Sequence, residues 1–133
     1  MTNPYGAKAY HKTSIQTASR EQILLMLYEA CILNFKRCKQ AMEKKNIPDK
    51  GMYLGKAQDI INELSNTLDM EKGGDVAQQL QSLYLYIFNE STDANFNNDP
   101  SKIENCVRVL NTLYSGWKQA VETLAKNKTE VKK

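Results

Sequence analysis

The clearest periodic pattern in the chain is SREQILLMLYEACILNFKRCKQAM, residues 19–42. Ser19 and Gln22 have the spacing of a capping box, in which each side chain satisfies a backbone N–H of the other residue. Apolar side chains then recur at steps of three and four, which places them on one stripe of an α-helix. The stripe consists of Ile23, Leu24, Leu27, Tyr28, Cys31, Phe35, Cys38 and Met42. The sequence therefore predicts a helix from Ser19 to about Lys45, and further apolar residues on its other faces predict that it is the central one.

Two more helices are predicted from the middle of the chain. The turn-forming stretch at residues 46–49 interrupts the first pattern. A second stripe follows and is predicted to end at Gly73-Gly74, because glycine readily adopts the left-handed closing conformation. The third helix is predicted to start beside Asp75. The two stripes consist of Leu54, Ala57, Ile60, Ile61, Leu64 and Leu68, and of Val76, Leu80, Leu83, Tyr84, Ile87 and Phe88.

The last helix has an explicit start signal. Residues 91–98 are polar and turn-rich apart from Phe96 and predict a surface loop. Asp99 then offers a capping carboxylate, and Pro100 stands at the first helical position, where its missing N–H costs nothing. The apolar stripe of this helix consists of Ile103, Cys106, Val107, Leu110, Leu113, Tyr114, Trp117, Val121 and Leu124.

Four amphipathic helices with short connections predict an all-α, antiparallel four-helix bundle. Residues 1–18 have too little apolar periodicity for a long helix and are expected to form a flexible N-terminal arm. The predicted organisation is therefore an arm at residues 1–18, a bundle domain at residues 19–125 and a Lys-rich tail at residues 126–133.

Composition and charge exclude several classes of protein. A chain of 133 residues with 41% hydrophobic residues suits one globular domain. The net charge of +3 is concentrated in the last eight residues, which leaves a neutral body and argues against nucleic-acid binding. No apolar run approaches the roughly 18 residues that span a bilayer, so membrane insertion is not expected. With no signal segment and an odd number of cysteines, the chain is expected to be cytoplasmic, with buried reduced thiols.

Residues suited to catalysis are scarce. The chain has one histidine, His11, and no Glu-x-x-His pair, so neither an enzyme nor a bound cofactor is expected. The stretch Asp93–Glu104 partly matches a calcium-loop template, but Asn98 stands where that loop needs glycine. A calcium-responsive sensor is therefore the alternative from a different functional class, and a polar turn that caps the last helix is the simpler interpretation.

Some apolar residues exceed what a bundle core requires. Leu85 and Tyr86 lie off the main stripe of the third helix, and the arm carries Tyr5, Tyr10 and Ile15. Surplus apolar surface usually marks a protein interface. The pattern thus indicates grooves between bundle helices that bind helices of a partner.

Several motifs in order resemble the FliS family of flagellin-specific export chaperones. SREQILLMLYEACI at residues 19–32, with its Leu27-Tyr28 pair, is similar to the family's first-helix signature. KAQDIINELSNTLD at residues 56–69 is similar to the second. GGDVAQQLQSLYLYI at residues 73–87 and Trp117 in the last helix follow in the same order.

The resemblance implies a non-enzymatic chaperone of the cytosol. Such a protein binds the C-terminal segment of flagellin, prevents premature polymerisation and delivers flagellin to the flagellar type III export gate. It also implies the anti-sigma factor and an export-gate component as further partners, with Tyr10 in the arm that covers the site. The alternative is a helical adaptor or regulator that binds another flagellar client, such as the anti-sigma factor. Monomer and weak homodimer are both left open.

The predicted partner contacts come from the arm and from two helices. Tyr10 is predicted to contact the partner together with residues of the second helix, and residues of the third helix are predicted to line the next groove. Trp117 is expected to anchor the core instead. The helix residues are Leu54, Ile61, Leu64, Val76, Leu80 and Tyr84.

Overall fold

The computed structural model describes residues 19–131. These residues form four α-helices: α1 (Arg20–Glu43), α2 (Ile47–Asn66), α3 (Met70–Asn97) and α4 (Pro100–Val131). The predicted arm, with Tyr10 and His11, lies outside the described residues, as do Lys132 and Lys133. Of the tail predicted at residues 126–133, the first part continues α4 to Val131.

The helices form an antiparallel bundle in which α1 and α3 each pack between α2 and α4. Along two neighbouring helices, the numbers of the contacting residues increase on one helix and decrease on the other. Lys50 Nζ donates to the Asn95 carbonyl and Gln58 Nε2 donates to Ser91 Oγ, which makes α2 and α3 antiparallel. Lys39 pairs with Glu104 and Trp117 donates to Tyr28, so α1 and α4 are antiparallel as well. The predicted fold class is confirmed.

The helix starts follow the local capping chemistry. Ser19 Oγ accepts from the Gln22 backbone N–H at 3.2 Å, and Gln22 Oε1 accepts from the Ser19 N–H at 3.1 Å, so the predicted capping box is present. Asp99 Oδ1 accepts from the Ser101 N–H at 3.0 Å and caps α4 as predicted. Asn46 caps α2 by accepting from the Asp49 N–H at 3.2 Å. The interruption at residues 46–49 is therefore the cap and first turn of α2.

Two predicted boundaries are wrong. α2 ends at Asn66, with Thr67 as its C-cap, well before the predicted glycine stop. α3 then begins at Met70, where Asp69 caps it, and Gly74 interrupts it with φ 52° and ψ −129°. A regular helical path resumes beside Asp75, where the sequence placed the start.

The loop predicted at residues 91–98 is also wrong, because α3 continues to Asn97. Ser91 is 0% exposed, and its hydroxyl donates to the Phe88 carbonyl at 2.9 Å. Ala94 is also fully buried. Small polar residues weaken an isolated helix, but here they pack against neighbouring helices, which outweighs their low propensity.

The core is formed by the inward faces of all four helices. The predicted burial of the three cysteines is confirmed, and each carries a free thiol. Cys31 Sγ donates to the Ala57 carbonyl and Cys106 Sγ to the Ile87 carbonyl, both at 3.5 Å. No helix in the described part of the chain is long and apolar enough to cross a membrane. The largest fully buried side chains are Tyr28, Phe35, Met42, Ile61, Leu64, Tyr84, Ile87, Ile103 and Leu110.

Candidate protein-binding site

A groove runs between α2 and α3 on the side of their connection at residues 67–69. Its volume is about 470 Å³. The buried side chains of Ile61 and Tyr84 and the half-buried ring of Phe88 provide its apolar floor. We call this surface groove A, and its lining residues are Ile61, Asn62, Ser65, Gln81, Ser82, Tyr84, Leu85, Phe88 and Asn89.

Side-chain hydrogen bonds hold α2 and α3 together at one end of groove A, and the connection at residues 67–69 joins them at the other. Gln58 Nε2 lies 3.0 Å from Ser91 Oγ and 2.8 Å from Thr92 Oγ1, which holds the two helices in register. Beyond this contact the facing residues include Ser65 and Ser82, whose side chains are short. The space between the helices therefore stays unfilled and open to solvent.

A chain of hydrogen bonds fixes the floor of groove A from beneath. The hydroxyls of Tyr84 and Tyr28 lie 2.5 Å apart, and Trp117 Nε1 donates to Tyr28 Oη at 3.1 Å. Burial raises the pKa of both tyrosine hydroxyls, so both stay protonated at neutral pH. These hydrogen bonds join α3, α1 and α4, and they hold the Tyr84 ring in a defined position under the groove.

The rim of groove A combines exposed apolar surface with neutral polar groups. Leu85 lines the groove and is 61% exposed, in agreement with the surplus apolar surface predicted for this helix. Its neighbour Tyr86 is 43% exposed but does not line the groove. None of the described residues that line the groove carries a charge. Such a surface suits the apolar face of a partner helix, with amide side chains available for its polar flank.

A second groove lies where α1 begins and α2 ends. It has a volume of about 480 Å³ and is lined by Arg20, Ile23, Leu24, Leu27 and Thr67. Three of its lining residues are aliphatic side chains of α1 that are only partly buried. We call this surface groove B. Its residues belong to the segment that the sequence predicted to be apolar on several faces.

The structure brings two of the predicted contact residues, Ile61 and Tyr84, into groove A. Leu54, Leu64 and Leu80 are 6%, 1% and 8% exposed and lie in the core. Val76 is 61% exposed but does not line groove A. Tyr10 lies outside the described residues. The assignment of these seven residues as partner contacts stays a prediction, and Trp117 packs against the core as expected.

Sequence reasoning did not assign most of the groove wall. Asn62, Gln81 and Asn89 are polar residues on amphipathic helices and look like ordinary solvent-facing positions. Of the residues that line groove A, Leu85 is the one whose position indicates a binding surface, because a leucine off the main apolar stripe does not face the core. Its neighbours at one helical turn, Gln81 and Asn89, could then have been assigned to the same face.

The calcium-loop template does not assemble a metal site. Asp93 forms an ion pair with Lys102, and Glu104 forms one with Lys39. Asn97 Nδ2 donates to Asp93 Oδ1 at 3.0 Å. Among residues 19–131, no group of three or more His, Cys, Asp or Glu side chains is placed to hold a metal ion. The template residues instead form the end of α3 and the start of α4.

Comparison with known proteins gives consistent matches over most of the chain. The profile of a family described as "Flagellar protein FliS" matches residues 1–124. The flagellar secretion chaperone FliS of Vibrio cholerae is 40% identical over 84% of this chain and 85% of its own length. The FliS of Salmonella typhimurium is 35% identical over 90% of this chain and 92% of its own. The FliS of Bacillus subtilis is 30% identical over 96% and 93%.

The fold has a counterpart among solved structures. A crystal structure described as that of a flagellar chaperone from bacteria superposes with a TM-score of 0.73. The match covers 90% of this chain and 97% of that one, at 24% sequence identity. This likeness concerns the four-helix architecture.

Proposed function

Because this chain belongs to the FliS family of flagellar proteins, we propose that it binds the C-terminal segment of flagellin in the cytosol. Binding there would prevent premature polymerisation, and the complex would deliver flagellin to the flagellar type III export gate. The protein would act by binding alone, without catalysis. Export chaperones need surfaces that hold a client's apolar helices reversibly, and the two grooves of the bundle suit that task.

The observation that carries the proposal is groove A with its exposed rim. The groove beside Leu85 has an apolar floor and no charged lining residue, so it can bind the apolar face of a client helix. Groove B offers a second apolar surface on α1. A client segment that orders on binding loses conformational entropy, so it needs a large apolar contact, which two grooves supply better than one.

The first experiment is calorimetric titration with the C-terminal segment of flagellin from the same organism. We expect tight binding with a negative heat-capacity change, the mark of apolar burial. Because the lining of groove A is uncharged and that of groove B contains one charged residue, Arg20, affinity should change little between low and physiological salt.

A matched pair of variants locates the contact. Leu85→Asp places a charge at the rim of groove A and should weaken flagellin binding by about tenfold or more. Phe96→Asp places the same charge on the same helix, at a side chain that is 88% exposed and lies outside groove A. This control should bind within about twofold of the unchanged protein, a difference worth a few tenths of a kcal/mol.

Charges at Ile61 or Leu64 would not test the groove cleanly. Both side chains are 1% exposed, so an aspartate there would destabilise the core. Absence of flagellin binding by the unchanged protein would overturn the proposed client. Equal loss in the Leu85 and Phe96 variants would instead overturn the assignment of groove A.

A further inference from the structure

The corner where α1 ends and α2 begins is strongly basic. Residues 36–56 contain seven Lys or Arg and two Asp or Glu, a net charge of +5. The whole chain carries a net charge of +3. The positive charge of the folded body is therefore concentrated at this corner. It is not apparent from the net charge of the body as a whole, which is close to zero.

A cleft lies within this corner, between the last turns of α1 and the first turns of α2. It has a volume of about 220 Å³, and the half-buried ring of Tyr53 forms part of its wall. The guanidinium carbon of Arg37 lies 5.7 Å from the ring centroid, and Lys56 Nζ lies 6.0 Å from it. The lining residues are Arg37, Gln40, Ala41, Lys44, Asn46, Asp49 and Tyr53.

The cations around the cleft lack carboxylate partners within the described part of the chain. The ion pairs among the described residues join Lys39 to Glu43 and Glu104, and Lys102 to Asp93. Asp49 is the one carboxylate in the wall, and it accepts from Asn46 Nδ2 at 2.9 Å. Arg37, Lys44 and Lys56 therefore produce a positive potential that Asp49 offsets only in part.

We propose that this basic cleft binds an acidic segment of a protein partner. A Glu or Asp side chain would enter beside the Tyr53 ring, where Arg37 and Lys44 can donate to its carboxylate. Ile47, in the first turn of α2, is 72% exposed and offers an apolar contact next to the charged one. The fitting segment thus places an aliphatic side chain close to its acidic one.

The geometry favours a carboxylate over other anions. A cleft of about 220 Å³ accommodates a side chain, whereas a duplex or a bilayer needs a broad row of cations. Asp49 in the wall would also repel a dianionic phosphate more than a carboxylate. The cleft is separate from groove A, because Tyr53 and Ile61 lie about 12 Å apart along α2.

The test is a nuclear magnetic resonance titration of the isotope-labelled full chain with an acetylated, amidated hexaglutamate peptide. We expect the backbone amides of residues 36–56 to shift, and the shifts to weaken as salt rises from about 25 mM to about 200 mM. The matching hexaglutamine peptide should leave these amides unchanged. Shifts located elsewhere, or equal shifts with hexaglutamine, would overturn the proposal.

Paired variants separate the cleft from general basicity. Arg37→Gln combined with Lys44→Gln should lower hexaglutamate affinity about fivefold, as two exposed charge contacts are lost. Lys118→Gln combined with Lys126→Gln removes the same charge from exposed positions on α4 and should change affinity less than about twofold. Equal losses in the two variants would contradict a specific cleft.

Two further probes decide the class of partner. If a short DNA duplex or vesicles containing phosphatidylglycerol shift residues 36–56 at lower concentration than hexaglutamate does, the acidic-protein assignment is wrong. The Arg37 and Lys44 variant should keep its full affinity for the flagellin segment, since neither residue lines groove A or groove B. Failure at the cleft is thereby distinguishable from failure of the proposed chaperone function.

Discussion

At the residue scale, three aromatic side chains determine how the floor of the candidate site is held. The hydroxyls of Tyr28 and Tyr84 satisfy each other inside the core, and the indole of Trp117 supplies a further donor. Each of these residues could be placed on an apolar stripe from the sequence. Their mutual hydrogen bonds could not, because partners 56 and 89 positions apart meet only when helices pack.

We predict that Tyr84→Phe lowers the free energy of unfolding by about 1–2 kcal/mol, since it leaves a buried Tyr28 hydroxyl with one fewer partner. Urea denaturation measures the change. Tyr114→Phe is the control, because that hydroxyl donates to Glu29 at the exposed surface, and its loss should cost less than about 0.5 kcal/mol. Equal costs in the two variants would show that the buried network contributes nothing special.

At the element scale, α3 departs most from the sequence expectation, at both of its ends. Its first turn, from Met70, precedes the interruption at Gly74, and its last turns continue through the segment predicted as a loop. Asp93 and Asn95, within that segment, are held by Lys102 and Lys50 of the neighbouring helices. Propensity describes an isolated segment, and these contacts come from outside it.

Gly74 is the position in α3 where the backbone most requires glycine. We predict that Gly74→Ala destabilises the bundle by about 1 kcal/mol or more, because φ 52° with ψ −129° strains any residue with a Cβ. Gly51→Ala is the matched control inside α2, where an added Cβ meets nothing within 4 Å. It should stabilise by roughly 0.5–1 kcal/mol. Thermal melting of both variants measures the two changes, and a stabilising Gly74→Ala would contradict the observed backbone.

At the scale of the whole molecule, the core contains several groups that can ionise only at the expense of folding. Burial raises the pKa of the Cys38 thiol to about 11 and that of Cys106 to about 12. Burial also raises the pKa values of Cys31 and Tyr84. These groups are neutral in the folded protein at physiological pH, so they behave as small or aromatic apolar side chains.

These raised pKa values predict a stability that falls in alkaline solution. The unfolded thiols ionise near their ordinary pKa of 9.0, while Cys38 stays protonated in the folded state until about pH 11. Stability from this group is therefore complete below pH 9 and lost as the pH rises towards 11. Each such thiol contributes at most about 1.4 kcal/mol per pH unit in that window.

Urea denaturation under reducing conditions, repeated at neutral and alkaline pH, measures this loss. A Cys38→Ala variant should show a shallower decline than the unchanged protein, whatever its stability at neutral pH. Parallel declines would mean that Cys38 titrates alike in the folded and unfolded states.

The amino-acid pattern alone was sufficient for the fold class and for the capped starts of α1 and α4. Those features depend on neighbours within one helical turn, such as Ser19 with Gln22 and Asp99 with Ser101. Periodicity also identified most of each apolar stripe, since a bundle must bury one face of every helix, but Val76 and Leu124 are 61% and 42% exposed. The basic stretch at residues 36–56 is also visible in the sequence, but it is missed when only the net charge of the whole body is considered.

Packing settled which side of each stripe meets the core and which meets a groove. Leu64 and Ile61 lie one turn apart on α2, yet only Ile61 reaches groove A. That difference depends on how α3 lies against α2 at this end of the bundle, where Ser65 and Ser82 also line the groove. Distances between helices arise from contacts far apart in the chain, so no local pattern records them.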